Sequence, residues 1–454
     1  NAYAGTGDAK VEAVNTIDGT MTVEFYCPGQ TANGYVAVYD EDKLMTQYIP
    51  VELTGAEEWI PVEVTTTSAD TLKAFLWDDE MNPLVDEVVI EPEEASIALM
   101  SAAPQIKNVI YMIPDGGGFP LFDFANGVKN EGGYSVPGYG HNTPVEAGDM
   151  YMKDYLIGTI QTHSANAAIT DSAASGTALA TGSRTYNKAI GVYLFDKTPK
   201  YSYPKNIREL CNERGMLTGI VTTDDTTGAT PSAFSAHSSD RYNTEDITMD
   251  QLSSSADIIW GTANGVATKS EAEANGYTYV TTYSEMMALE EGSRSYAQFT
   301  NALWTLEQSD ENTPNLEQMA MKAIDILDDS DEGFFLMIEG AHIDKYSHSN
   351  RDADMTEALL EFDSTVEAVL EYAKNDGETL VVVTADHETG GIKADGNGYK
   401  FTSDDHSNAD VPLLVYGSDK IISKGEKINN YEIPMRIAYT IGFTEKDFPI
   451  AVIM

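Results

Sequence analysis

The sequence predicts an α/β fold: a doubly wound, mostly parallel sheet with helices on both faces, preceded by a small β-sandwich. Three observations predict it. From Lys107 onward, short apolar runs end in polar or Gly-rich loops: NVIYMIPDGGG, LTGIVTTDDTTG, FFLMIEG, TLVVVTADHETGG and VPLLVYG. Helical patterns alternate with these runs, most clearly DMTEALLEFDSTVEAVLEYAKNDG. Residues 1 to 92 instead carry β-branched and aromatic runs broken at short intervals by Gly, Pro and Asp.

The N-terminal runs are TMTVEFYC, GYVAVYD, WIPVEVTT and TLKAFLWD, and no histidine occurs among them. They offer no catalytic grouping. Residues 93–105, EEASIALMSAAPQ, read as a linker, and residues 106–454 as the catalytic domain. Within it, strands without apolar–polar alternation are buried on both faces, as in parallel sheets. In the long helix Met355, Leu359, Phe362, Val366, Val369 and Ala373 recur at three- and four-residue steps, and Gly377 ends it.

Composition narrows the function. The 454 residues include 73 acidic and 27 basic ones, a net charge of −46. Such a surface repels nucleic acid and anionic membranes, and suits either solubility or a high-salt habitat. No run approaches the roughly 18 apolar residues of a membrane span. Two cysteines, Cys27 and Cys211, leave the compartment open. The opening NAYAGTGDAK has no initiator Met and no leader, as after removal of an export signal or after trimming.

Doubly wound sheets bind ligands beyond the carboxyl ends of their strands. Asp115 follows VIYMIP, Glu339 follows FFLMI, and Asp386 and His387 follow LVVVT. Asp344 and His348 are four apart and share one face if helical. His406 lies in a loop ahead of the last apolar strand. Taken singly, such an Asp is a cap or turn former and such a His a loop residue. Together at one sheet edge, carboxylates and imidazoles without cysteine suit zinc and magnesium. In ITDSAASGTALATG, Thr170 or Asp171 caps a helix and leaves Ser172 in its first turn, where a phosphate oxygen is stabilised. A Ser–His–Asp triad is the rival role for Ser172, but no G-x-S-x-G elbow is present.

The blocks KNVIYMIPDGGG, TDSAASGTALATG, RTYNKAIGV, GATPSAFSAHSSDR, EGAHIDKYSH, VTADHETGG and DDHSNADVPLLVYG, in this order, resemble the alkaline phosphatases. The resemblance runs from about Lys107 to the C-terminal region and excludes the N-terminal strands. It implies two zinc ions and one magnesium ion. Asp344, His348 and His406 match the ligands of the first zinc; Asp115, Asp386 and His387 match those of the second. Asp115 would also reach the magnesium, whose other ligands match Thr230 and Glu339. Ser172 matches the nucleophile, and Arg241 the phosphate-gripping arginine that Asp171 helps hold. His237 and His342 match no ligand position and are expected either to support the ligands from behind or to be structural. The implied activity is hydrolysis of small phosphate monoesters through a phosphoserine intermediate, with phosphodiesterase or sulfatase chemistry of the same superfamily as the alternative. A secreted, extracellular, periplasmic or cell-surface location goes with it, family members are often homodimers, and the N-terminal unit is expected to bind cell wall or glycan.

One position departs. The family carries Asp or His two residues before the magnesium threonine, where this chain has Gly228. Lys345, which meets that side chain, is therefore expected to lack its partner and reach toward phosphate, unless Asp224 or Asp225 fills the gap.

Overall fold

The computed structural model describes residues 9–90 and 106–448, apart from 16–19, 40–44, 56–58, 66–70, 79–83, 85–87, 131–132, 136–141, 145–146, 195–200, 300–311, 396–397 and 445–446. The linker assigned to 93–105 lies outside the described residues. The chain divides into two compact units, residues 1–105 and 106–454.

The first unit holds two antiparallel sheets. Strands Lys10–Asn15, Thr20–Tyr26 and Ile60–Thr65 form one; Met45–Leu53, Ala32–Tyr39, Thr71–Trp77 and Val88–Ile90, in that order, form the other. Val23, Phe25 and Val64 of the first sheet share one buried cluster with Val36, Val38, Leu72 and Leu76 of the second. Alternation explains it: in Thr71–Trp77 every second side chain is buried. The Met45–Leu53 strand escaped the sequence reading because Pro50 interrupts it. It is an edge strand, where a missing N–H is tolerated.

The second unit is built on a ten-stranded sheet. Its order is Thr278–Val280, Ser295–Phe299, Ile258–Thr262, Leu217–Asp225, Phe334–Gly340, Asn108–Pro114, Thr379–Thr384, Val411–Tyr416, Leu156–Gln161 and Lys427–Asn429. All neighbours run parallel except Val411–Tyr416, which opposes both Thr379–Thr384 and Leu156–Gln161. Alternate residues feed opposite faces. Ile110, Met112, Leu336, Ile338, Val381 and Val383 meet Leu359, Phe362 and Val366 of the Asp352–Asp376 helix on one side. Val109, Tyr111, Phe335, Met337, Leu380 and Val382 meet Leu179, Leu210 and Phe234 on the other. Phe362 is fully buried, and truncating such a side chain to Ala costs about 3–5 kcal/mol. The helix ends where Gly377 takes φ 77° and returns its N–H to Ala373. The core thus holds the strand ends Asp115, Glu339 and Asp386 at one edge.

Candidate metal centre and nucleophile

Ser172 opens the helix Ser172–Thr181. Asp171 caps it, its carboxylate accepting the Ala174 N–H at 3.0 Å. The same carboxylate accepts the Lys188 N–H at 3.0 Å and a guanidinium N–H of Arg241 at 3.3 Å. Asp171 thereby ties the nucleophile's turn to Arg241. The Ser172 Oγ lies 3.1 Å from His387 Nε2. Ser175, one turn on, donates to the Asp386 carbonyl at 2.6 Å and fixes the helix against the Thr379–Thr384 strand end.

Three imidazoles share one device. His387 has Nδ1 3.2 Å from Thr389 Oγ1, His348 has Nδ1 2.7 Å from the Asp404 carbonyl, and His406 has Nδ1 2.9 Å from the Thr170 carbonyl. Each Nε2 is left facing carboxylates: His387 toward Asp386 at 3.1 Å and Asp115 at 3.6 Å, His348 and His406 toward Asp344 at 3.4 and 3.6 Å. Anchoring one ring nitrogen to aim the other is how proteins orient imidazole metal ligands. Ligand atoms of Asp344, His348 and His406 lie within 4.8 Å of one another, and so do those of Asp115, Asp344 and His387. Gly116, at φ +74°, lets the chain pass Asp344 so closely that a Cβ there would lie 3.0 Å from its Cα.

Two buried oxygens of this cluster, Asp115 Oδ1 and Asp386 Oδ2, have no hydrogen-bond partner, and neither has Thr230 Oγ1 in the helix Ala229–Ser235. Orphaned oxygens are costly unless something else satisfies them. The electrostatics agree. Burial, with Asp386, Asp344 and Glu339 nearby, pushes the Asp115 carboxyl well above its ordinary range. Burial, and then the Asp224 charge, pushes Glu339 up to about 8. Burial alone would lower His387, but the adjacent Asp386 outweighs it and holds the imidazole above its usual value. Several carboxylates cannot all ionise in one dry site without cations between them. Hard oxygens with three imidazoles fit zinc at the nitrogen-bearing trios, and the all-oxygen set at Thr230 and Glu339 fits magnesium.

Five of the eight ligand candidates, Asp115, Asp344, His348, His387 and His406, fall in these two groups, and Asp386 lies 3.1 Å from His387, which touches Ser172. Two expectations change. His406 is not in a loop: His406–Ser407 pairs with Glu388–Thr389 as a short antiparallel ladder, which stacks its ring 3.5 Å from that of His387. Lys345 does not lack a partner either, for its ammonium is bound to Asp224. The lysine is therefore not released toward phosphate by Gly228, because a carboxylate four residues earlier holds it. His237 pairs with Glu209 at 3.0 Å and belongs to no ligand group. The reading missed Thr389, which donates to Asp344 at 2.6 Å, and Thr222, which donates to Glu339. Both stand in motifs quoted above, but a threonine carries no ligand signature that sets it apart.

The alkaline phosphatase family model matches residues 106–269 and 261–432. Alkaline phosphatase 4 of Bacillus subtilis is 35% identical over 329 residues, covering 68% of this chain and 67% of the relative. The repressible alkaline phosphatase of Saccharomyces cerevisiae is 29% identical over 339 residues, 66% of this chain and 57% of its own length. Among solved structures, a cold-active alkaline phosphatase from Shewanella sp. aligns with a TM-score of 0.65 at 25% identity, over 74% of this chain and all of the other. The alkaline phosphatase of the Antarctic bacterium TAB5 aligns at 0.61 and 29% identity, over 75% and 99%. A variant of that protein is described with Mg bound in its M3 site. The family match and these relatives place the protein among phosphatase enzymes. The chain belongs to the alkaline phosphatase family.

Proposed function

We propose that the protein hydrolyses phosphate monoesters through a covalent intermediate on Ser172. The observation that carries this is the convergence of the Ser172 Oγ with His387 Nε2 and the orphaned oxygens of Asp115 and Asp386 at one capped helix end. Ser172 Oγ forms a bond to phosphorus as the ester P–O bond breaks, and the alcohol leaves. Water then cleaves the phosphoserine and releases phosphate. Arg241, steadied by Asp171, grips two phosphoryl oxygens with its fork of N–H groups. The helix N-terminus adds unpaired N–H groups on the same side. Zinc held by Asp344, His348 and His406 and by Asp115, Asp386 and His387, with magnesium near Thr230 and Glu339, would lower the pKa of hydroxyl and water and offset developing charge. The filled site carries about +3: six positive charges from three divalent ions, four negative from Asp115, Glu339, Asp344 and Asp386, and one positive from Arg241.

The test is p-nitrophenyl phosphate turnover at alkaline pH with purified, chelator-stripped and zinc-plus-magnesium-restored enzyme. We expect loss on stripping, recovery with both metals, and a fall of at least about 10³-fold in Ser172→Ala. Turnover of bis-(p-nitrophenyl) phosphate in preference to the monoester would overturn the substrate class. No helix among the described residues is long and apolar enough to cross a membrane. The proposal places the enzyme outside the cytoplasm, with residues 1–105 holding it to cell wall or glycan. Pull-down on insoluble wall glycan, lost when those residues are deleted, checks that role; absence of binding removes it.

A further inference from the structure

Gly228 and Asp224 fit one another in a way that neither motif predicts. Gly228 precedes the helix Ala229–Ser235 at φ −49° and ψ 152°, outside the positive-φ region that favours glycine. Backbone freedom therefore does not demand glycine here. Space does. A Cβ on residue 228 would lie 2.6 Å from Asp224 Oδ2 and 2.9 Å from its Cγ. The volume that a side chain at 228 would enter is filled by the Asp224 carboxylate.

That carboxylate is held from several sides. Its Oδ1 accepts the Asp225 N–H at 2.7 Å and the Lys345 ammonium. The Asp224 N–H donates to Thr222 Oγ1 at 2.8 Å, and Thr222 in turn donates to Glu339. In the sheet Thr222 and Glu339 are register partners on adjacent parallel strands. Oδ2 faces Gly228, the residue that starts the helix bearing Thr230. Thr230 is 1% exposed, and its Oγ1 has no hydrogen-bond partner. The corner therefore links the Asp224 and Glu339 carboxylates through Thr222, with the unsatisfied Thr230 hydroxyl on the helix that Gly228 starts. That donor chemistry selects a small hard dication, and magnesium commonly keeps several waters that a nearby carboxylate can orient.

We propose that Asp224 is a member of the magnesium position at Thr230 and Glu339, and that Gly228 is kept free of a side chain to admit it. Lys345 then offsets part of the charge of Asp224 rather than serving phosphate directly. This rests on the metal assignment made for Thr230 and Glu339 above.

The test is Mg²⁺ binding to the zinc-loaded full-length protein, read by titration calorimetry and by the Mg²⁺-dependent rise in Tm. Asp224→Asn, which keeps the shape and removes the charge, should weaken Mg²⁺ binding about ten- to hundredfold. Gly228→Ala should weaken it comparably although it removes no charge, because the new methyl displaces Asp224. Lys345→Met should leave Mg²⁺ binding intact or tighten it. Wild-type affinity in Asp224→Asn would overturn the proposal, as would equal losses in Asp224→Asn and Lys345→Met, which would reduce Asp224 to an anchor for the lysine. If the wild-type protein itself gave no Mg²⁺ response, the underlying metal assignment would fall with it. Asp224→Asn is isosteric, so the outcome does not depend on Gly228→Ala folding well.

Discussion

The two ligand trios expected from the family resemblance differ in depth. Asp386 and His387 are fully buried and Asp115 is 10% exposed in its side chain, whereas His348 is 36% exposed and Asp344 and His406 are 11% exposed. The inner trio rests on the ends of two strands, Asn108–Pro114 and Thr379–Thr384, and touches Ser172 through His387. The outer one spans a seven-residue helix, His342–His348, and a two-residue strand. On the proposed mechanism the drier trio would set the nucleophile, and the one with the exposed His348 would meet the leaving group and incoming water.

The most severe way to break this division is to remove one ligand from each. Asp386→Ala should cost about a hundredfold in zinc affinity and His348→Ala nearer tenfold, both read by competition with a zinc-binding dye. Equal losses would mean that burial does not separate the two positions. Arg241→Ala should then lower kcat/KM roughly ten- to hundredfold, with Arg241→Lys recovering little, since an ammonium cannot form two parallel bonds. Full rescue by Lys would reduce the arginine to a point charge.

A stability measurement sharpens the inner trio further. Asp115 is pushed up by burial and by its carboxylate neighbours. Relieving that crowding with Asp115→Asn should raise the Tm of the metal-free protein by about 2–5 °C, equivalent to roughly 1–2 kcal/mol. The same change should lower the Tm of the zinc-loaded protein. A metal-free Tm that falls would contradict the crowding. The smallest effect belongs to the surface. The net charge of −46 opposes a phosphate dianion at long range, and salt screens it over about 10 Å at 0.1 M. Adding moderate NaCl at constant pH and metal should raise kcat/KM about twofold; a flat or falling profile removes the steering argument.

Much of the site is legible in the sequence because it sits where strands stop. Apolar runs announce the strands, and the first ionisable residue after three of them is a ligand candidate: Asp115, Glu339, Asp386. Helical spacing pairs Asp344 with His348, and small residues after Asp171 announce the capped helix. What escapes is set by tertiary contact. Thr389 and Thr222 gain their meaning only from the carboxylates they touch, at 45 and 117 residues' separation. His406 reads as a loop residue because its partner strand, Glu388–Thr389, is two residues long. Gly228 reads as a gap in a pattern, whereas in space it is the room that Asp224 occupies. The N-terminal unit shows the same limit, for its Pro50 strand is admissible only at a sheet edge.

The central claim is that phosphate passes through Ser172, and trapping that intermediate tests it most directly. The zinc- and magnesium-loaded enzyme, quenched in acid during turnover of p-nitrophenyl phosphate, is digested and its peptides weighed. One added phosphoryl group is expected on the ITDSAASGTALATG segment, located at Ser172 and absent from Ser172→Ala. An enzyme that turns over without ever carrying phosphate at Ser172, or that carries it elsewhere, would contradict it.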